Sequence, residues 1–290
     1  MSYENVASMV SDSLSSLINN LLSSVDDNVF SVLDELAFLN ASSISDKYFL
    51  YFFDKPFSLI ALCKALLLAF LIYYIIAYFF SLFTCSHFQK PLSFIVKLFF
   101  SALLINWSIE ICEYILDFFF LLTNILRELG FSVFSVKMSF SLLYKEISRI
   151  FLNSFSLPFQ FFSFDGVLKS FISFGFVNLI FTYSVRFIFV KLLVLISPFA
   201  FLSLALDQST WIFKIWFKNL IGQLFTQLFI CIILLIMFSF SYLSNPIIIK
   251  LLYVASIVCL IRLTSFVKEF TSGFTSDISS NLSSIKSLFL

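Results

Sequence analysis

The sequence predicts an all-α, polytopic helical membrane protein with about five transmembrane helices and additional amphipathic interfacial helices. Of its 290 residues, 60% are hydrophobic and only 12% are charged, whereas a soluble domain has about 25% charged residues. The mean hydropathy is +1.03. Several apolar runs exceed the roughly 18 residues that suggest a membrane span, so the lipid bilayer is the first partner that the sequence implies.

Residues 1–55 form an acidic region ahead of the spans. They hold eight acidic residues and two lysines, a net charge of −6, which leaves +7 for the remainder because the whole chain carries +1. Apolar residues at positions 3–40 recur at helical spacing, which predicts an amphipathic helix with a break at Asp26–Asn28. Its acidic face does not suit anionic lipid. We expect it to pack on another protein or another copy, and the alternative is a loosely ordered polar leader.

Residues 56–126 contain the first two predicted membrane helices. The first covers Phe57–Phe83 and is interrupted only by Lys64. The second starts after Pro91, a residue suited to the first turn of a helix, is apolar over Leu92–Ile109 except at Lys97, and continues as a helix to about Leu126.

The second helix carries a polar stripe, defined here as Asn106, Glu110, Glu113, Asp117 and Asn124. At 100° per residue these side chains share one face within roughly 60°, over a length of about 27 Å. Carboxylates inside a membrane are expensive, which favours a face that lines an aqueous path or meets cations of another helix. The alternative is a helix that leaves the membrane near Ile109 and exposes its polar side.

The remaining chain alternates between mixed and apolar segments. Residues 127–169 combine phenylalanines with charges and two helix breakers, which predicts one or two interfacial helices. Residues 170–266 hold three further spans, predicted at Phe171–Ile196, Leu220–Tyr242 and Ile247–Phe266. Residues 267–290 form a serine-rich polar tail.

Two cations lie within the third span, Arg186 and Lys191. Buried cations need carboxylates, carbonyl groups or water as partners, and the polar stripe is the obvious candidate. The alternative is that both side chains reach toward the nearby interface, which suits Lys191 better than Arg186.

Residues 198–216 form a predicted elbow between the third and fourth spans. Pro198 cannot donate to the helix ladder, so we expect a break or kink there. Asp207 and Ser209 suit the N-cap of a helix that restarts near Trp211, and Lys214 and Lys218 fall on one face. The remaining elbow residue that we single out is Trp216. Tryptophan and lysine at this place predict either an interfacial anchor or a docking surface for a cytoplasmic partner.

Catalytic signatures are missing from the sequence. It contains no phosphate-binding loop, no dinucleotide-binding glycine motif, and neither HExxH nor GxSxG. The five cysteines are scattered singly, without the spacing of a metal site. We therefore expect a protein that is not an enzyme and has no cofactor. With five spans and most Lys and Arg residues of the elbow and tail on one side, the positive-inside rule favours an outside N-terminus and a cytoplasmic C-terminus.

Three stretches resemble the TrbL family, polytopic inner-membrane subunits of type IV secretion and conjugation systems. The resemblance is greatest to the version in conjugative elements of low-G+C Gram-positive bacteria. KPLSFIVKLFFSALLINWSIEICEYILDFFFLLTNIL is similar to that family's second span, and LISPFAFLSLALDQST to its small-residue and proline break. WIFKIWFKNLIGQLFTQ resembles its tryptophan-containing elbow. Together the similarity extends over roughly residues 56–245.

The resemblance implies a subunit of a translocation channel in the bacterial cytoplasmic (inner) membrane. Such subunits are expected to form a ring-like homo-oligomer and to contact other channel subunits and a separate cytoplasmic ATPase. The cargo would be single-stranded DNA with its relaxase, or protein. A substrate-specific transporter or ABC-type permease subunit is the main alternative; it would use the stripe and Arg186 as an ion site, and it usually shows an internal repeat. A third alternative function is that of a structural assembly factor.

Overall fold

The computed structural model describes residues 13, 27–44, 46–54, 58–84, 91–152 and 164–288. The first part of the predicted N-terminal helix, the turn before Pro91 and residues 153–163 lie outside this description. The described residues are almost all helical, and none lies in a strand. The α-helices are α1 (Asp27–Ala37), α2 (Ala41–Ile44), α3 (Lys47–Asp54), α4 (Leu59–Thr84), α5 (Pro91–Asn106), α6 (Ser108–Phe134), α7 (Phe140–Leu152), α8 (Phe164–Leu202), α9 (Thr210–Ser239) and α10 (Pro246–Leu288).

The fold is that of an all-α multi-pass membrane protein, as the sequence predicted. Among the described residues, four stretches are long and apolar enough to cross a bilayer: Leu59–Phe83, Gly166–Ala205, Asp207–Tyr242 and Pro246–Val267. A fifth is obtained if α5 and α6, which meet at an angle of 65°, together count as one bent span.

The predicted second span is therefore broken. We expected one helix from Leu92 to about Leu126, and the structure instead bends the chain at Trp107, between α5 and α6. Sharp bends usually occur at proline or glycine, and neither residue is present here, so the break could not be predicted from these residue types. The α6 helix then ends at Phe134, where Ser135 adopts a positive φ of 55° and donates its N–H to the Phe131 carbonyl at 2.8 Å.

The elbow also differs in detail from its prediction. The α8 helix does not stop at Pro198 but continues to Leu202. Two 3-10 turns, Ser203–Ala205 and Asp207–Ser209, then lead into α9 at Thr210. The chain beyond the last span also remains helical, because α10 runs on through the serine-rich segment to Leu288.

Contacts divide the chain into two compact units, and α6, α8, α9 and α10 contribute residues to both. The first unit consists of residues up to Leu39, Phe119–Phe187 and Phe225–Val267. Its core combines α1, α7 and parts of α8, α9 and α10. The largest fully buried side chains in it include Phe30, Phe140, Tyr183 and Tyr253.

Within the first unit, α6 and α9 run side by side in the same direction. The rings of Phe119 and Phe225 lie 5.2 Å apart, and those of Phe134 and Tyr242 lie 5.9 Å apart. Between these pairs, Cys231 Sγ lies 3.9 Å from the Thr123 carbonyl oxygen. A parallel course is what the second and fourth of five alternating spans would have, and it favours counting α5 and α6 as one bent span.

The α1 helix, the described part of the predicted N-terminal helix, is part of this core. That the N-terminal region also packs on another protein or another copy stays a prediction. Phe30, Leu33 and Ala37 are fully buried, whereas Val32 is 49% exposed. The larger Phe30 and Leu33 therefore define the buried face of α1. The charged neighbour Glu35 is exposed.

Gly175 marks a close approach of α8 to α10 in the first unit. A Cβ built on Gly175 would overlap Cγ2 of Ile257. Gly175→Ala should therefore lower the free energy of unfolding by about 1–3 kcal/mol, the usual cost of overpacking a core. Helix propensity alone predicts the opposite sign, because alanine is the better helix former.

The measurement is thermal unfolding of the detergent-solubilised protein for Gly175→Ala, Ile257→Ala and the double variant. Removing Cγ2 in Ile257→Ala should relieve the overlap, so the double variant should be more stable than the sum of the single losses predicts, with a coupling of roughly 0.5–3 kcal/mol. Strictly additive losses would contradict the close approach.

Candidate functional site

The polar stripe is divided by the bend at Trp107. Asn106 ends α5, where its Oδ1 accepts a hydrogen bond from Lys64 Nζ at 2.8 Å. The other four members lie on α6. The continuous part of the stripe therefore spans Glu110 to Asn124, about 21 Å at 1.5 Å per residue, and is shorter than the sequence suggested.

The stripe residues of α6 differ in their surroundings. Glu110 and Asp117 are exposed, and Glu113 and Asn124 are half-buried. Asp117 Oδ1 accepts a hydrogen bond from the Ala41 N–H at 3.2 Å. Glu110 has no polar partner within the part of the chain that the structure describes.

Sequence reasoning missed one carboxylate on the same face. Glu128 follows Glu110 by 18 residues, which is five full turns at 3.6 residues per turn, and it is exposed. The helical period could have found it, but the predicted helix ended near Leu126. The opposite side of α6 is buried, with Cys112 and Leu116 fully inaccessible, so the acidic face is presented outward.

The two cations of the third span have partners outside the stripe. Arg186 is 2% exposed and donates from Nη1 to the Ala37 carbonyl oxygen, at the end of α1, at 2.9 Å. A guanidinium at the C-terminal end of a helix satisfies carbonyl groups that the helix leaves unpaired. This contact lies within the first unit.

The second unit consists of Asn40–Phe118, Ile188–Leu224 and the residues from Lys268 onward. In it, Lys191 Nζ forms an ion pair with Asp46 Oδ2 at 2.6 Å and lies 5.9 Å from the centre of the Phe49 ring. One indirect sign of such pairs is present in the sequence, namely the net negative charge of residues 1–55 against the positive remainder.

The α4 and α5 helices form an antiparallel hairpin within the second unit. Tyr74 of α4 stacks on Phe94 of α5, with ring centres 3.8 Å apart, and Lys64 meets Asn106 at the other end of the same pair. Most side chains of α4 are exposed, and few of them are buried. Lipid or other subunits would cover this surface in a membrane.

The elbow residues separate into buried and exposed groups. Asp207 Oδ1 forms an ion pair with Lys97 Nζ of α5 at 2.6 Å. The Ser209 hydroxyl donates to the carbonyl oxygens of Ser203 at 2.8 Å and Leu206 at 3.1 Å. These contacts occupy both side chains that we expected to serve as N-caps of α9.

The two elbow tryptophans have different environments. Trp211 is 59% exposed, whereas Trp216 is only 4% exposed and donates from Nε1 to the Leu193 carbonyl oxygen of α8 at 2.8 Å. Pro198 leaves the carbonyl of Val194 without its usual helical donor, and the indole bonds the carbonyl of the preceding residue. Trp216 is thus a packing residue of the α8–α9 hairpin.

Lys214 and Lys218 lie on α9 beyond the turn. Lys214 is exposed and Lys218 half-buried, and neither has a hydrogen-bond or ion-pair partner among the described residues. Among those residues, no group of three His, Cys, Asp or Glu side chains could hold a metal ion.

Comparison with known proteins identifies no relative of the chain. No family model, no curated protein and no solved structure matches the chain.

Proposed function

We propose that the chain is a non-enzymatic, membrane-embedded subunit of a type IV secretion channel in a bacterial cytoplasmic membrane. It would oligomerise and act with other channel subunits and a cytoplasmic ATPase to move single-stranded DNA with its relaxase, or protein. Its N-terminus would lie outside and its C-terminus in the cytoplasm.

The observation that carries the proposal is the outward acidic face of α6. Glu110 and Asp117 are exposed on a helix that, with α5, is apolar enough to form a bent span. A carboxylate facing lipid is costly, so this face needs water or a second subunit. A channel assembled from several copies supplies both.

Two further features support a channel subunit over the transporter alternative. A transporter would use Arg186 as part of an ion or proton site, whereas Arg186 holds the end of α1 through Ala37. The stretches at residues 90–126 and 195–227 that resemble the TrbL family also contain the first two thirds of α6, residues 108–126, and the elbow.

The test is deletion of the gene in its own host, followed by complementation. Deletion should abolish cell-to-cell DNA transfer or protein secretion. The triple variant Glu110→Gln, Glu113→Gln and Asp117→Asn should reach the membrane at the wild-type level and lower transfer by at least roughly tenfold, equivalent to about 1.4 kcal/mol on the limiting step.

Glu35→Gln, which removes an exposed carboxylate of α1, is the matched control and should leave transfer unchanged. Normal transfer after deletion, combined with loss of uptake of a small solute, would overturn the proposal in favour of a transporter. Full transfer by the triple variant would show that the acidic face is only a wet side of the helix.

A further inference from the structure

The exposed side of α9 directly after the elbow forms a basic and aromatic surface. Trp211, Lys214, Ile215 and Lys218 lie within an arc of about 100° at 100° per residue. Trp211 and Ile215 are 59% and 50% exposed. On the opposite side of the same helix, Trp216 and Leu220 are buried.

The charge on this surface is not balanced by the described part of the chain. Asp207, the acidic residue of the elbow, is already paired with Lys97. Lys214 and Lys218 have no described partner. The surface therefore presents two positive charges beside an exposed indole ring, a combination that suits an anionic ligand.

The position of the surface identifies the kind of anion. The elbow joins two stretches that are each apolar enough to cross a bilayer, Gly166–Ala205 and Asp207–Tyr242. A short turn between consecutive spans lies at a membrane surface, whichever way the chain is inserted. Tryptophan favours the level of the lipid headgroups, and lysine attracts anionic headgroups there.

We propose that Trp211, Lys214 and Lys218 form a binding site for the phosphate headgroup of an anionic phospholipid. The lysine ammonium groups contact the phosphate, while Trp211 and Ile215 contact the glycerol and upper acyl region. The site fixes the elbow end of the α8–α9 hairpin at the membrane surface. This inference does not depend on the secretion function, because it concerns contacts with lipid alone.

The test uses quenching of tryptophan fluorescence by brominated lipids. The full chain with Trp107→Phe is reconstituted in phosphatidylcholine bilayers that contain either brominated phosphatidylglycerol or brominated phosphatidylcholine. Of the three tryptophans in the chain, Trp211 is then the exposed one and Trp216 the buried one. Replacing Trp211 with phenylalanine identifies its part of the signal.

Brominated phosphatidylglycerol should quench Trp211 at a lower mole fraction than brominated phosphatidylcholine. The preference should be roughly fivefold for each lysine and about 30-fold for both at low salt. Lys214→Gln with Lys218→Gln should abolish it, and raised salt should weaken it. Lys137→Gln with Arg262→Gln removes two exposed positive charges elsewhere and should leave the preference intact.

Equal quenching by the two lipids in the wild-type chain would overturn the proposal, and so would a preference that survives loss of both lysines. If the purified chain shows no lipid preference but Lys214 crosslinks to an acidic protein in the host membrane, the surface is a protein-docking site instead. An unchanged unfolding temperature of the double lysine variant shows that it is folded.

Discussion

Arg186→Glu is expected to destabilise the first unit more than any other single substitution considered. The wild-type guanidinium is 2% exposed and donates to the Ala37 carbonyl oxygen. Glutamate would place its carboxylate oxygens against the Ala37 carbonyl oxygen, which also only accepts, and would bury a negative charge without a partner. Removing one partner of a buried charged contact typically costs about 3–5 kcal/mol, so the free energy of unfolding should fall by at least about 3 kcal/mol.

The measurement is thermal unfolding in detergent together with limited proteolysis of α1. Arg186→Glu should lower the unfolding temperature and expose α1 to protease, because its C-terminal end loses its attachment to α8. Arg186→Lys keeps a cationic donor, so its unfolding temperature should fall less. Arg262→Glu, at an exposed position of α10, should change the unfolding temperature little. Wild-type stability of Arg186→Glu would show that this contact does not hold α1.

Asp34 gives the chain a pH-dependent stability. Its Oδ1 accepts the Phe140 N–H at 2.9 Å at the start of α7, and so joins α1 to α7. Burial raises the pKa of Asp34 from 3.8 to about 6, although the Phe140 N–H and the Arg127 guanidinium act to lower it.

Proton binding by Asp34 determines whether the stability rises or falls with pH. Between about pH 4 and pH 6 the folded chain retains a proton on Asp34 that the unfolded chain has lost, so stability falls as pH rises through this range. A shift of about two pKa units corresponds to about 3 kcal/mol. Above pH 6 the contribution of Asp34 becomes constant.

Comparison with Asp34→Asn isolates this group. Between pH 4 and pH 6 the wild-type chain should lose up to about 3 kcal/mol relative to Asp34→Asn, and the two curves should run parallel above pH 6. Glu35→Gln controls for the loss of one negative charge from α1. A wild-type chain that gains stability relative to Asp34→Asn as pH rises would contradict the raised pKa.

Hydropathy was sufficient to predict the fold class, because burial in lipid demands long apolar helices regardless of how they pack. Spans at Phe171–Ile196 and Ile247–Phe266 were predicted and lie within α8 and α10, and the predicted span Leu220–Tyr242 covers α9 to its end at Ser239 and the 3-10 turn that follows. The helical period likewise located the acidic face of α6. Both properties depend on local sequence alone.

Contacts between distant residues could not be predicted in the same way. Lys191 meets Asp46 across 145 positions, and Asp34 caps α7 across 106 positions. The charge asymmetry of the chain indicated an attraction but not which residues would meet. The burial of Trp216 depends on the α8–α9 hairpin, whereas composition alone predicts an interfacial tryptophan.

In the proposed channel, the acidic face of α6 contacts water or another copy, and the accessibility of single cysteines tests this contact. In a chain without native cysteines, single cysteines replace Glu110, Asp117 and Glu128 on the acidic face, or Phe118 and Ile125, which are 58% and 47% exposed on the adjoining apolar side. A membrane-impermeant thiol reagent is applied to native membranes, and copies are then oxidised to test for disulfide-linked dimers. We expect labelling or dimer formation at positions 110, 117 and 128, and neither at positions 118 and 125. Protection of all five positions without dimers, or equal labelling of both sides, would contradict it.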